Sequence, residues 1–147
     1  MGKIICILIS LLAGSFIAVQ GGLNTLVGRE IKSPIHASLF SFIIGTALIA
    51  LYIVVTKQTV SLEGVKNVPW YAWFAGALGA FSLTAIILAF PNLCPGLTFG
   101  LIVAGQMIIS VVPEHYGILV AQPHPINLLR VLGILFIVGG VVLIRMF

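Results

Sequence analysis

Residues 18–29, AVQGGLNTLVGR, decide how this chain is read. Gln20 and Asn24 stand one helical turn apart in an otherwise apolar run, so their two carboxamides share a helix face. An amide buried in lipid without a hydrogen-bond partner costs on the order of a few kcal/mol. A helix that carries two of them must turn that face toward other protein or a wet cavity, which makes it the candidate working surface.

Outward from that stretch the composition fixes the solvent. Of 147 residues, 61% are hydrophobic and 7% charged, against the roughly one-quarter charged content of soluble domains. The mean hydropathy is +1.26. This is the composition of an integral membrane protein. Lys3 and the small residues Ala13, Gly14 and Ser15 resemble a signal peptide, but the apolar run continues past Ser15 and further spans follow, so a first span is expected instead. The net charge is +4, yet the Lys and Arg residues are scattered singly between apolar blocks and form no nucleic-acid patch. Cys6 and Cys94 lack ligand-like spacing and imply neither a disulfide framework nor a metal site.

Prolines punctuate the chain, because a proline lacks the N–H that a helix interior needs. The spans read as 4–28, 35–56, 70–90, 96–112 and 126–146, within one transmembrane domain over 1–147. The longest polar loop is 57–69. Trp70, Tyr71, Trp73 and Phe74 then open the third span as an interfacial aromatic belt. The fourth span, at 17 residues, is near the lower limit for crossing about 30 Å of hydrocarbon. It is expected to kink at Pro113 and continue through Tyr116 to Ala121; a re-entrant segment there would leave four spans, and five is the working model. Small residues recur at close-packing spacings: Gly14, Gly21 and Gly28; Ala37, Ser41 and Gly45; Ala72, Gly76 and Ala80; Gly96, Gly100 and Ala104; Gly133 and Gly140. These read as helix-packing stripes.

Five spans put Lys3, Lys57, Lys66 and Arg130 on the N-terminal side and Arg29, Lys32 and Arg145 on the other, four against three. So small a bias gives the insertion machinery little to read. The chain is expected to insert in both orientations or to need a partner of opposite orientation.

The span interiors hold amides and hydroxyls rather than charges. From the side of Arg29 and Pro91, at about 1.5 Å per residue, Gln20 and Ser82 lie about 12 Å deep, Gln106 about 15, Thr46 about 16 and Asn24 about 6. These groups either bond one another as structural glue, at about 0.6 kcal/mol each, or line a cavity. The long amides of Gln20, Asn24 and Gln106 need several partners, and for them both readings stay open. The hydroxyls of Ser41, Thr46, Ser82 and Ser110 can return to their own helices. Glu114 and His115, in PEHYG, are a possible gate or proton site or simply solvate a helix end. His36 and His124 look interfacial. No metal site, cofactor site, phosphate loop or nucleophile, base and orienter set is present, so an enzyme is not expected.

AGSFIAVQGGLNTLVGR (13–29), SFIIGTALIALY (41–52), VAGQMIISVVPEHYG (103–117) and LLRVLGILFIVGGVVLI (128–144) resemble, in order, the YdcZ-type family of the drug/metabolite transporter superfamily. The resemblance implies an all-α membrane protein whose five helices equal half of a ten-helix EamA-type inverted-repeat bundle. It also implies an inner-membrane exporter working as an antiparallel homodimer or with a paired homologue. Glu114 falls where EamA-type repeats carry a Glu before their last helix, although close relatives have an Asp in a DHFG-like motif. The first span has no acid like that of the small multidrug resistance branch, so cationic drug and proton exchange is not carried over.

The sequence is therefore read as a small-molecule exporter using alternating access. Its expected substrate-binding residues are Gln20, Asn24, Ser41, Ser82 and Gln106. Such a lining suits a polar, neutral or zwitterionic metabolite better than a lipophilic cation. A dual-orientation channel and a non-transporting membrane subunit are the competing readings.

Overall fold

The structure, a computed structural model, describes residues 2–117 and 126–146, and among them there is no strand. The helices are α1 (Lys3–Glu30), α2 (Pro34–Thr56), α3 (Leu62–Lys66), α4 (Ala75–Ala89), α5 (Pro95–Tyr116) and α6 (Leu128–Met146), with a 3₁₀ turn over Trp70–Phe74 before α4. Among the described residues, five helical stretches are long and apolar enough to cross a membrane, one of them Trp70–Ala89, which joins the 3₁₀ turn to α4.

Local chemistry sets the ends. Ser33 caps α2 by accepting from the His36 N–H at 3.4 Å, and Pro34 occupies the first turn, where its missing N–H costs nothing. Lys57 closes α2 in the left-handed region, at φ 51°. In the 57–69 segment, read from sequence as loop, Ser61 accepts from the Gly64 N–H at 3.3 Å and starts the one-turn α3. The fourth span is not short. α5 has 22 residues and contains Pro113, a length of about 33 Å. Gly117, at φ 66°, then caps it by donating its N–H to the Pro113 carbonyl. The expected extension to Ala121 and the interfacial His124 lie outside the described residues.

The helices group into two compact units, Met1–Asn92 and Leu93–Phe147. In the first, α1, α2 and α4 each pack on the other two. Its core lies where α1 ends, α2 begins and α4 ends: Gly21, Thr25, Gly28, Ala37, Ile86 and Ile87 are buried. A Cβ on Gly28 would lie 3.0 Å from Ile87 Cγ2, so the glycine admits the isoleucine. Polar seams close within this core. Thr84 Oγ1 donates to Ser38 Oγ at 2.9 Å, and Ser38 Oγ donates to the Pro34 carbonyl at 3.1 Å.

In the second unit α5 packs on α6. A Cβ on Gly100 would lie 2.9 Å from Val141 Cγ2, and Val141 and Ala104 are buried. The packing stripes are therefore used in part. Gly28, Ala37, Gly100 and Ala104 are in contact or buried, whereas a Cβ on Gly14, Gly45, Gly76, Gly133 or Gly140 would meet no atom within 4 Å. On α4 the packing face is Gly79, beside Phe42, with Ile86 and Ile87, in place of the Ala72, Gly76 and Ala80 stripe. Most large apolar side chains are exposed, among them Phe16, Leu48, Phe81 and Phe136. That outward apolar surface is what a bilayer solvates.

Candidate functional site

The first unit gathers three of the expected residues at one atom. Gln20 Nε2 donates to Ser41 Oγ at 3.3 Å, and Asn24 Nδ2 donates to the same oxygen at 3.1 Å. The helical turn between the two amides on α1 aims both at the α2 hydroxyl. Asn24 is buried at 9% exposure, Ser41 is half-buried and Gln20 is exposed. Beside them is a cavity of about 240 Å³ walled by Gln20, Ser41, Phe42, Gly45, Thr46 and Leu83.

Proton counting shows what this cluster still offers. A serine hydroxyl has one proton, so it can donate to one amide at most. Whichever way the two amides are flipped, at least one must donate to Ser41 and keep its carbonyl oxygen uncommitted. No further partner of Gln20 or Asn24 occurs among the described residues, and no non-exposed side-chain nitrogen or oxygen there is both buried and unpaired. The cluster is neutral, accessible and holds spare accepting and donating capacity.

The other candidates lie apart from this cluster. Ser82 Oγ donates to the Leu78 carbonyl of its own helix at 2.8 Å, and Ser82 does not line the cavity. Gln106 is exposed on α5, in the second unit, with no hydrogen-bond partner among the described residues. Glu114 and His115 are not bonded to each other. Glu114 Oε2 accepts from Arg130 Nη1 at 2.7 Å across the α5/α6 pair, while His115 Nδ1 accepts from the Ile126 N–H at 3.4 Å. Arg130 appeared in the sequence only as an orientation charge. A short connection between antiparallel spans places the last turn of one beside the first turn of the next, and that was the available signal. Phe42 and Leu83 are further cavity residues that sequence polarity could not mark. Among the described residues no group of three or more His, Cys, Asp or Glu could hold a metal ion.

Five helical stretches able to cross a membrane among the described residues, with a neutral polar cluster at a cavity wall, define a class, the small multi-pass membrane proteins. Residues 5–143 match the model of the family described as "Putative inner membrane exporter, YdcZ". The chain belongs to that family, and is a multi-pass protein of the inner membrane. Among curated proteins and solved structures, no significant match is found.

Proposed function

We propose that this chain exports a small polar metabolite by alternating access, with Gln20, Asn24 and Ser41 contacting the substrate from the first unit. The observation that carries the reading is the shared Ser41 oxygen at the cavity wall. It leaves amide carbonyl and N–H capacity unspent at a depth where lipid offers no partner. A substrate bearing both hydrogen-bond donors and acceptors satisfies that capacity; a quaternary ammonium, having no N–H, does not. Gln106 offers α5's own amide, and Glu114 with His115 remains the candidate proton site. Two copies of opposite orientation form the working transporter, in keeping with the four-against-three charge balance.

The test is a thermal-stability screen of the purified chain against small amides, alcohols and amino acids, each paired with its N- or O-methylated counterpart. Compounds that stabilise the chain are then followed into proteoliposomes. Donor-bearing members should stabilise the protein and be transported, methylated ones should not, and Gln20→Leu should lose both responses while Ser82→Ala keeps them. Full transport by Gln20→Leu would remove the cluster from the mechanism. For the paired orientation, C-terminal reporters active only inside or only outside should both give signal; a signal from one alone rules out dual topology.

A further inference from the structure

The α5/α6 pair is closed at one end and open at the other. Where it is closed, Gly100 faces Val141, and a Cβ on Gly96 would lie 3.6 Å from Ile144 Cγ2. Where it is open, a Cβ on Gly133 would meet no atom within 4 Å. A cavity of about 300 Å³ lies there, with Met107, Val111, Ile134 and Ile137 as its apolar wall and Glu114 and Arg130 as its polar end; Ser110 also lines it, its hydroxyl donating to the Met107 carbonyl at 3.0 Å. Met107 precedes Glu114 by two helical turns, and Ile137 follows Arg130 by two, so the apolar wall extends about 10 Å from the ion pair.

The charges select the occupant. Glu114 and Arg130 lie 2.7 Å apart, each one-third exposed. A lone anion drawn to the guanidinium meets the carboxylate, and a lone cation drawn to the carboxylate meets the guanidinium. A head that carries both charges offers each of the two residues a charge-assisted contact of its own. The pair ends one span and begins the next, the level at which headgroups meet a helix, and the apolar wall descends from it. A molecule with its charges at the interface and its chain in the hydrocarbon already has that layout.

We infer that this cavity binds a zwitterionic aminophospholipid of the bilayer. Its ammonium sits on Glu114, its phosphate on Arg130, and the first part of an acyl chain lies along Met107, Val111, Ile134 and Ile137. A primary ammonium donates N–H bonds to the carboxylate, which a trimethylammonium cannot do. Gly133 keeps the cleft open where no neighbour requires a glycine. The assignment shares no residue with the Gln20, Asn24 and Ser41 cluster; Glu114 alone also belongs to the export reading, as its candidate proton site, and Gly133→Leu tests the lipid site without touching that acid.

Native mass spectrometry of the purified full chain in detergent tests this, using phosphatidylethanolamine, phosphatidylcholine and phosphatidylglycerol of one acyl composition. Phosphatidylethanolamine should be retained about tenfold more tightly than the other two. The preference should fall to about twofold or less in Gly133→Leu, which puts a side chain into the cleft from a position where a Cβ meets no atom within 4 Å, and in Glu114→Gln. An unchanged melting temperature of Gly133→Leu separates occlusion from unfolding. Equal retention of the three lipids, or an undiminished preference in Gly133→Leu, overturns the site. Competition by chain-free glycerophosphoethanolamine at the same concentration as the lipid overturns the lipid assignment.

Discussion

The amide cluster of the first unit and the ion pair of the second handle polarity among apolar helices in opposite ways. Gln20, Asn24 and Ser41 are neutral, converge on one oxygen and keep hydrogen-bonding capacity in hand. Glu114 and Arg130 are charged and engage each other directly across two helices. The packing beside each follows suit. The amides lie next to a tightly fitted core around Gly28, Ile87 and Ala37, whereas the ion pair stands at the cavity-lined end of its helix pair. A neutral cluster can stay available on a rigid frame at modest cost. A charged pair one-third exposed at a helix end needs no tight frame, and leaves room at its side.

The largest effect should come from closing the tight end of the second unit. Gly100→Leu forces a side chain into Val141, and overpacking of this kind costs about 1–3 kcal/mol. Thermal melts of the purified protein should show it as a marked loss of stability. If Gly100→Leu melts like the parent, the contrast between the closed and open ends fails. Removing the guanidinium in Arg130→Gln should cost about 1 kcal/mol or less, because the pair is partly solvated; a denaturant titration measures it. A much larger loss would mean that the pair, rather than the glycine seam, holds α5 to α6. Ser41→Ala takes away the oxygen on which both amides converge and should cost about 0.6 kcal/mol per lost bond. The same variant should blunt the stabilisation given by donor-bearing compounds, which separates a working cluster from structural glue. Gly133→Leu should leave stability within about 0.5 kcal/mol, the usual range for a substitution that disturbs no special feature.

The spans were legible because their signal is long: apolar runs bounded by Pro34, Pro69, Pro91 and Pro95 leave few other readings. The meeting of Gln20, Asn24 and Ser41 was half legible. Helical spacing puts the two amides on one face, but which α2 group they reach depends on the register of two helices. Small residues proved ambiguous for a physical reason. A glycine that admits a neighbour, as at Gly28, and one that leaves space, as at Gly133, look alike in a sequence. Ser82 lies outside the amide-lined cavity, and its hydroxyl bonds the Leu78 carbonyl one turn back, a partner that helical geometry always puts within reach. The Glu114–Arg130 pair was hidden because charges at two span ends first read as topology signals, and only helix pairing makes them partners. The turn of α3 was missed because five residues, Leu62–Lys66, carry no hydrophobic period.

Pro113 has a kinetic consequence. Having no N–H, it leaves the Ile109 carbonyl without its helical donor, so the last turn of α5, which carries Glu114, is tied to the body of the helix by one bond fewer. Amide hydrogens at Glu114, His115 and Tyr116 should therefore exchange with solvent deuterium sooner than those around Gly100 and Ala104. On that expectation the turn that carries Glu114 opens ahead of the Gly100–Val141 contact, so the acid's exposure to water is set by a proline rather than by the packing of the helix pair.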